Sequence, residues 1–147
     1  MPDTVTLADA VLEIARGELG VCESGGPNSG LPSARYMGGR KEPWCSWFVL
    51  WVFRRAGAPY PGDPGEHDGA PCSLAGVRFL EQIGHRHDWD VRQPMRGDLI
   101  VFKSRGVSDK GPGMHVGIVE RVGITSVHTI EGNSGDSVRA RSYYRPS

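Results

Sequence analysis

The chain has 147 residues, room for one compact domain with a single core and not for two of ordinary size. Its 17 Lys and Arg balance 17 Asp and Glu, so no net field draws it to nucleic acid or an anionic membrane, and a small neutral or mixed-charge substrate fits better. No run approaches the roughly 18 apolar residues of a membrane span, and Met1 to Gly20 lacks a basic region followed by an apolar core, so the expectation is a soluble protein made without a visible signal peptide.

Thr6 is placed to cap a helix over Leu7–Arg16, with Asp9 three residues on to close a capping box and Leu7, Val11, Ile14 and Ala15 on one face. Gly17 and Gly20 bracket its end. From Glu23 to Arg40 the chain has loop composition, densest at Ser24-Gly25-Gly26-Pro27-Asn28-Ser29-Gly30. Because this loop leads directly into Cys45, it reads either as one wall of a cleft, with Asn28 as a lining candidate, or as a plain surface connection.

Pro43 to Gly57 carries the strongest local signal. Trp44, Trp47, Phe48, Trp51 and Val52 recur at helical spacing, and Val49, Leu50 and Phe53 widen the apolar face, so this helix belongs in the core. Pro43 suits the first helical position, and Gly57 followed by Pro59 suits the stop. Cys45 then lies in the first turn, where unpaired backbone N–H groups favour a thiolate and can donate to an oxyanion. The helix alone leaves two readings open: an activated nucleophile, or one more small buried hydrophobe. Cysteine arithmetic leaves a similar choice, since Cys22 paired with Cys72 would free Cys45, while three reduced thiols in a cytoplasmic protein is the plainer account.

Ala58 to Pro71 is a second Pro/Gly-rich loop holding Asp63, Glu66, His67 and Asp68. The regular Asp-x-Asp-x-Asp-Gly spacing of a calcium loop is missing, and no metal or other cofactor is expected. Ser73 caps a short helix that turns Leu74, Val77, Phe79, Leu80 and Ile83 inward and stops at Gly84. His85 and His87, with one residue between them and no cysteine near, read as exposed loop residues rather than ligands.

After Gly97 the period changes from helical to extended. Asp98–Phe102, His115–Arg121 and Ser126–Glu131 are rich in β-branched residues and divided by Gly and Pro, and a last short strand is expected over Val138–Arg141. Helices followed by sequential strands indicate an α+β domain with an antiparallel sheet. A hairpin centred on Gly123 pairs positions whose numbers sum to 246, which sets His115 opposite Glu131, near enough for a carboxylate to hold an imidazole. Period-2 alternation places Asn133 on the face of Glu131 and His128 on the other. A cysteine on a helix, a histidine on a strand to take its proton and a carboxylate or amide to fix the ring tautomer are the parts a thiol hydrolase needs.

Four blocks, Trp44-Cys45-Ser46-Trp47-Phe48-Val49, Gly97-Asp98-Leu99-Ile100-Val101-Phe102, His115-Val116-Gly117-Ile118-Val119-Glu120 and Ile130-Glu131-Gly132-Asn133, resemble in that order the CHAP domain (cysteine, histidine-dependent amidohydrolase/peptidase). The Gly25–Gly30 loop resembles one branch of the same family. The resemblance covers nearly the whole chain as a single catalytic domain. It implies a papain-like α+β fold, N-terminal helices on an antiparallel sheet, and hydrolysis of peptidoglycan at the N-acetylmuramoyl-L-alanine link or within the stem or cross-bridge peptides.

By this resemblance Cys45 matches the nucleophile, His115 the general base and Glu131 the orienting residue, with Asn133 as alternative or helper. Trp44, Trp47 and Met114 join Asn28 as substrate-cleft candidates. The calcium site of some relatives has no clear match before Cys45. The implied setting is a monomer of endolysin or autolysin kind that reaches the wall through phage lysis or a secretion apparatus; with no wall-binding segment attached, it is expected to act either as a lone catalytic domain or with a separate targeting partner. Two other readings keep the same fold: a cysteine amidase acting on a soluble γ-glutamyl or polyamine conjugate, and a non-catalytic cell-wall-binding module.

Overall fold

A computed structural model describes residues 5–58, 92–103 and 114–144, the side chains of Lys103 and Met114 excepted. The acidic loop beyond Ala58, the helix expected after Ser73, Cys72, His85 and His87 lie outside the described residues. The calcium-loop question and the pairing of Cys22 with Cys72 fall there too.

Helix α1 spans Leu7–Gly17. Its capping box forms as expected: Thr6 Oγ1 accepts from the Asp9 N–H at 3.1 Å, and Asp9 Oδ2 accepts from the Thr6 N–H at 3.2 Å. The helix buries Val11, Leu12 and Ala15 and packs on the third helix. Helix α2, Leu31–Tyr36, falls in the stretch expected to be loop throughout. Six residues with a proline in the first turn are too few to show a period, which is why composition hid it. Gly30 precedes it with φ 85°, and a Cβ there would lie 2.3 Å from Ser24 Oγ, so the loop closes only on glycine.

Tyr36 ties α2 to its neighbours. Its hydroxyl donates to Glu18 Oε1 at 2.9 Å while Arg35 reaches the same carboxylate at 2.7 Å, and its ring packs on Trp44, Phe48 and Trp51. Burial, with the Glu18 carboxylate beside it, pushes the Tyr36 phenol well above its ordinary value, so it stays a neutral donor.

Helix α3 spans Cys45–Arg55. It begins two residues later than a proline at the first helical position would place it: Trp44, at φ −119° and ψ 16°, is the N-cap, and its carbonyl accepts the first helical bond from Phe48 at 2.9 Å. Cys45 is therefore the first helical residue. Ala56 caps the other end and Gly57 follows at φ 79°, the left-handed turn that a glycine stop supplies.

The sheet is an antiparallel meander of β1 (Leu99–Lys103), β2 (Met114–Val122), β3 (Ser126–Ser134) and β4 (Ser137–Tyr144), in that spatial order. β4 is twice the length expected for it. Its start is also bonded to the segment after α1, through Gly20 N–H to the Val138 carbonyl at 3.0 Å and Val138 N–H to the Val21 carbonyl at 2.8 Å. Alternation gives the sheet two faces. Val116, Ile118, Ile130 and Val138 join Phe48, Val49 and Val52 of α3 in the main core, while Ile100, Val119 and Val127 form a second cluster with Phe102 and Val122.

The β2–β3 register departs from the expected one. Val122 lies opposite Val127 beside the turn, a bulge at Glu120 shifts the pairing, and Ile118 then lies opposite Ile130. Beside the turn this is three residues off a hairpin centred on Gly123, and the extra residue that the bulge puts into β2 brings the offset back to two farther from the turn. A displacement of two leaves every side chain on its expected face.

Gly132 sets how closely α3 approaches β3. A Cβ built there would lie 2.5 Å from Phe48 Cβ. Gly132→Ala should lower stability by about 1–3 kcal/mol through overpacking, read as a reduced urea midpoint at unchanged m-value.

Candidate active site

His115 is the second residue of β2, and Glu131 lies on the neighbouring β3. The His115 Nε2 stands 2.7 Å from Glu131 Oε1. The other carboxylate oxygen, Oε2, accepts from Thr129 Oγ1 at 2.5 Å and from the Tyr143 hydroxyl at 2.6 Å. Glu131 is 1% exposed. Burial pushes its carboxyl up, but the hydrogen bonds from His115, Thr129 and Tyr143 outweigh burial and hold it below the ordinary 4.5.

An ionised carboxylate only accepts, so the proton in the pair sits on Nε2 and the lone pair of a neutral ring is left at Nδ1. Phe102 stacks on the imidazole at 6.1 Å and lies tilted against the Tyr143 ring at 4.6 Å between centroids. Burial and the adjacent Glu131 push the Tyr143 phenol far above its ordinary value. It remains a donor across the neutral range.

Room for this arrangement comes from a missing side chain. A Cβ at Gly117 would lie 2.7 Å from Glu131 Cγ, so the glycine in His115-Val116-Gly117 lets the glutamate lie flat toward the imidazole. Gly117, Thr129, Phe102 and Tyr143 were not singled out from the sequence. Thr129 has a readable signal, two residues from Glu131 on the same face. Tyr143 lies just past the point where the last strand was expected to end.

Cys45 is 6% exposed at the head of α3, in the cluster that also holds Val116, Ile118 and Ile130. The structure thus joins His115 to Glu131 directly and sets the thiol on the helix packed against the same two strands. Asn133, at φ 56°, does not take the ring bond; with Asn28 it lines an open depression of about 720 Å³ bounded by Glu23–Asn28 and Asp136. The Gly-rich loop borders this depression, and none of Cys45, His115 and Glu131 lines it.

Trp44 and Trp47 do not line this depression. Trp44 is fully buried, stacked on Tyr36, with its Nε1 donating to Glu23 Oε1 at 2.9 Å. Trp47 is 7% exposed, its Nε1 donates to Glu42 Oε1 at 2.7 Å, and Arg40 lies over its ring. Their apolar bulk is used for packing, which overrides the expectation of cleft contacts. Met114 opens β2 opposite Lys103. Among the described residues no three His, Cys, Asp or Glu side chains are grouped to hold a metal, and no helix is long and apolar enough to cross a membrane.

The sequence model of the CHAP domain matches residues 36–133, which takes in α3, β1, β2 and most of β3. The chain belongs to the CHAP domain family. Members are in general cysteine, histidine-dependent amidohydrolases or peptidases that act on peptidoglycan. No curated protein matches the chain.

The depressed Glu131 carboxyl links stability to pH. Its folded value lies below the ordinary 4.5, so its contribution is complete above about pH 4.5 and is lost as pH falls through the folded value. In urea titrations over the acid range, wild type should lose stability more steeply below that pH than Glu131→Gln, which has no proton to take up.

Proposed function

We propose that the protein is a peptidoglycan hydrolase, an amidase at the N-acetylmuramoyl-L-alanine link or an endopeptidase of the endolysin or autolysin kind, working through Cys45, His115 and Glu131 on a papain-like single-domain scaffold. The observation that carries this is the bond from His115 Nε2 to a buried, ionised Glu131, which leaves Nδ1 to accept a proton. Cys45 supplies the proton and the nucleophile. Cys45 is the first residue of α3, and the positive end of the helix dipole there favours the thiolate and can stabilise an oxyanion.

The thiolate attacks the amide carbonyl, the imidazolium returns its proton to the leaving amine, and a thioester remains on Cys45. His115 then takes a proton from water as the hydroxide attacks that thioester, releasing the carboxylic acid and regenerating the thiol. This chemistry requires sulfur and Nδ1 to meet. The body of α3 covers the Val116–Ile118 face of the sheet and His115 alternates away from it near the start of β2, so the mechanism needs the two groups to approach around the end of the strand.

The open depression between the Gly-rich loop and Asn133 is bordered mainly by polar groups, though none of Cys45, His115 and Glu131 lines it. That polar border suits a polar, mixed-charge glycopeptide.

Purified sacculi incubated with the protein should release muropeptides whose new amine termini name the bond cut. Cys45→Ala should reduce release by at least about 10³-fold with unchanged circular dichroism, and undiminished release would refute the mechanism. Iodoacetamide should alkylate Cys45 of wild type at neutral pH several-fold faster than Cys45 of His115→Ala, since the thiolate loses its cationic partner. Equal rates would show that sulfur and imidazole do not interact.

A further inference from the structure

We infer that Tyr143 is a positioning residue of this site, holding Glu131 so that the carboxylate in turn fixes the ring of His115. The catalytic consequence rests on the hydrolase reading above. The inference itself rests on how the three donors around the carboxylate are distributed.

Glu131 Oε1 is taken by His115 on β2, and Oε2 by Thr129 on β3 and Tyr143 on β4. Thr129 is two residues away on the same strand, so it moves with Glu131 and cannot by itself stop the carboxyl group from turning. Tyr143 approaches from a different strand and supplies the fixed outside point. Its ring is in turn held against Phe102, which also stacks on His115, so one aromatic layer sets both the phenol and the imidazole.

Other charged groups on β4 are engaged elsewhere. Arg139, directly opposite Glu131, donates to Ser137 Oγ and to the Gly135 carbonyl, and Arg141 donates to Ser134 Oγ. The described donors to the carboxylate are therefore His115, Thr129 and Tyr143. Tyr143 also lies beyond the residues 36–133 that match the family, so this support comes from β4 and not from the shared pattern.

Tyr143→Phe keeps the ring on Phe102 and removes only the hydroxyl. Two measurements test the inference: the pH titration of the Glu131 carboxyl by carbon-13 NMR, and kcat and KM for muropeptide release across pH. The variant should show Glu131 titrating at higher pH, kcat about tenfold lower, KM unchanged, and the acid limb of the kcat profile moved up with the carboxyl. Fluorotyrosine at position 143, which keeps a donor hydroxyl, should restore kcat.

If Glu131 titrates at the same pH in Tyr143→Phe as in wild type, the inference is overturned whether or not either protein degrades sacculi. A lower kcat with an unmoved acid limb would mark Tyr143 as merely structural and also overturn it. Wild-type protein that releases no muropeptides instead overturns the hydrolase reading and with it the catalytic role, while the carboxyl titration still decides whether Tyr143 holds Glu131.

Discussion

The site depends on which face of the sheet each residue of β3 presents, and one extra residue in β2 decides that. If the register beside the turn, Val122 opposite Val127, continued unbroken, Ile118 would meet Glu131 and a carboxylate would enter the aliphatic cluster under α3. An unpaired charge there costs several kcal/mol or forces protonation, on the order of the whole stability of a small domain. The bulge at Glu120 restores Ile118 to Ile130 and turns Glu131 to the side of His115. Core packing thus selects the pairing, and the hydrogen bond between acid and imidazole follows from it. Glu120 itself is held by Arg16 at 2.8 Å, so α1 is tied to the residue on which the switch of face depends.

Two glycines on opposite faces of the same pair of strands then set distances. Gly117 leaves space for the Glu131 side chain and Gly132 leaves space for Phe48, so one clears the way for the buried acid and the other brings in the helix that carries the thiol. Both are needed for close approach rather than for unusual backbone angles. Left-handed conformations fall at other positions, among them Gly57 after α3, Gly30 before α2, and Asn28, Asn133 and Asp136 around the depression.

The sequence revealed α1, α3 and the antiparallel strands because each carries its own periodic signal. Capping at Thr6, the aromatic stripe of α3 and the β-branched runs are local properties, and tertiary packing did not override them. The start of α3 was misplaced because Pro43 looked like a helical first residue, whereas the chain turns at Trp44. Helix α2 was hidden by its six residues. The β2–β3 register was wrong by two, yet His115 and Glu131 still met, because an even displacement preserves the face and a diagonal neighbour lies within reach of a glutamate. What no local pattern could show was which distant hydroxyl completes the acid. Tyr143 depends on strand order and on a fourth strand that runs past its obvious hydrophobic residues. Trp44 and Trp47 show the converse, since large aromatics beside Cys45 suggest a binding surface in sequence and turn out to be filling the interior.

Trp44 also joins two parts that could otherwise move separately. Its indole N–H is bonded to Glu23, where the Gly-rich wall begins, and its carbonyl accepts the first bond of the helix headed by Cys45. Glu23 is bonded in turn to the Asp136 carbonyl at the turn before β4. A guest that wedges the rim apart must therefore either break the indole bond or drag the helix head along with it. A displacement of the rim is thus transmitted to the first turn of α3.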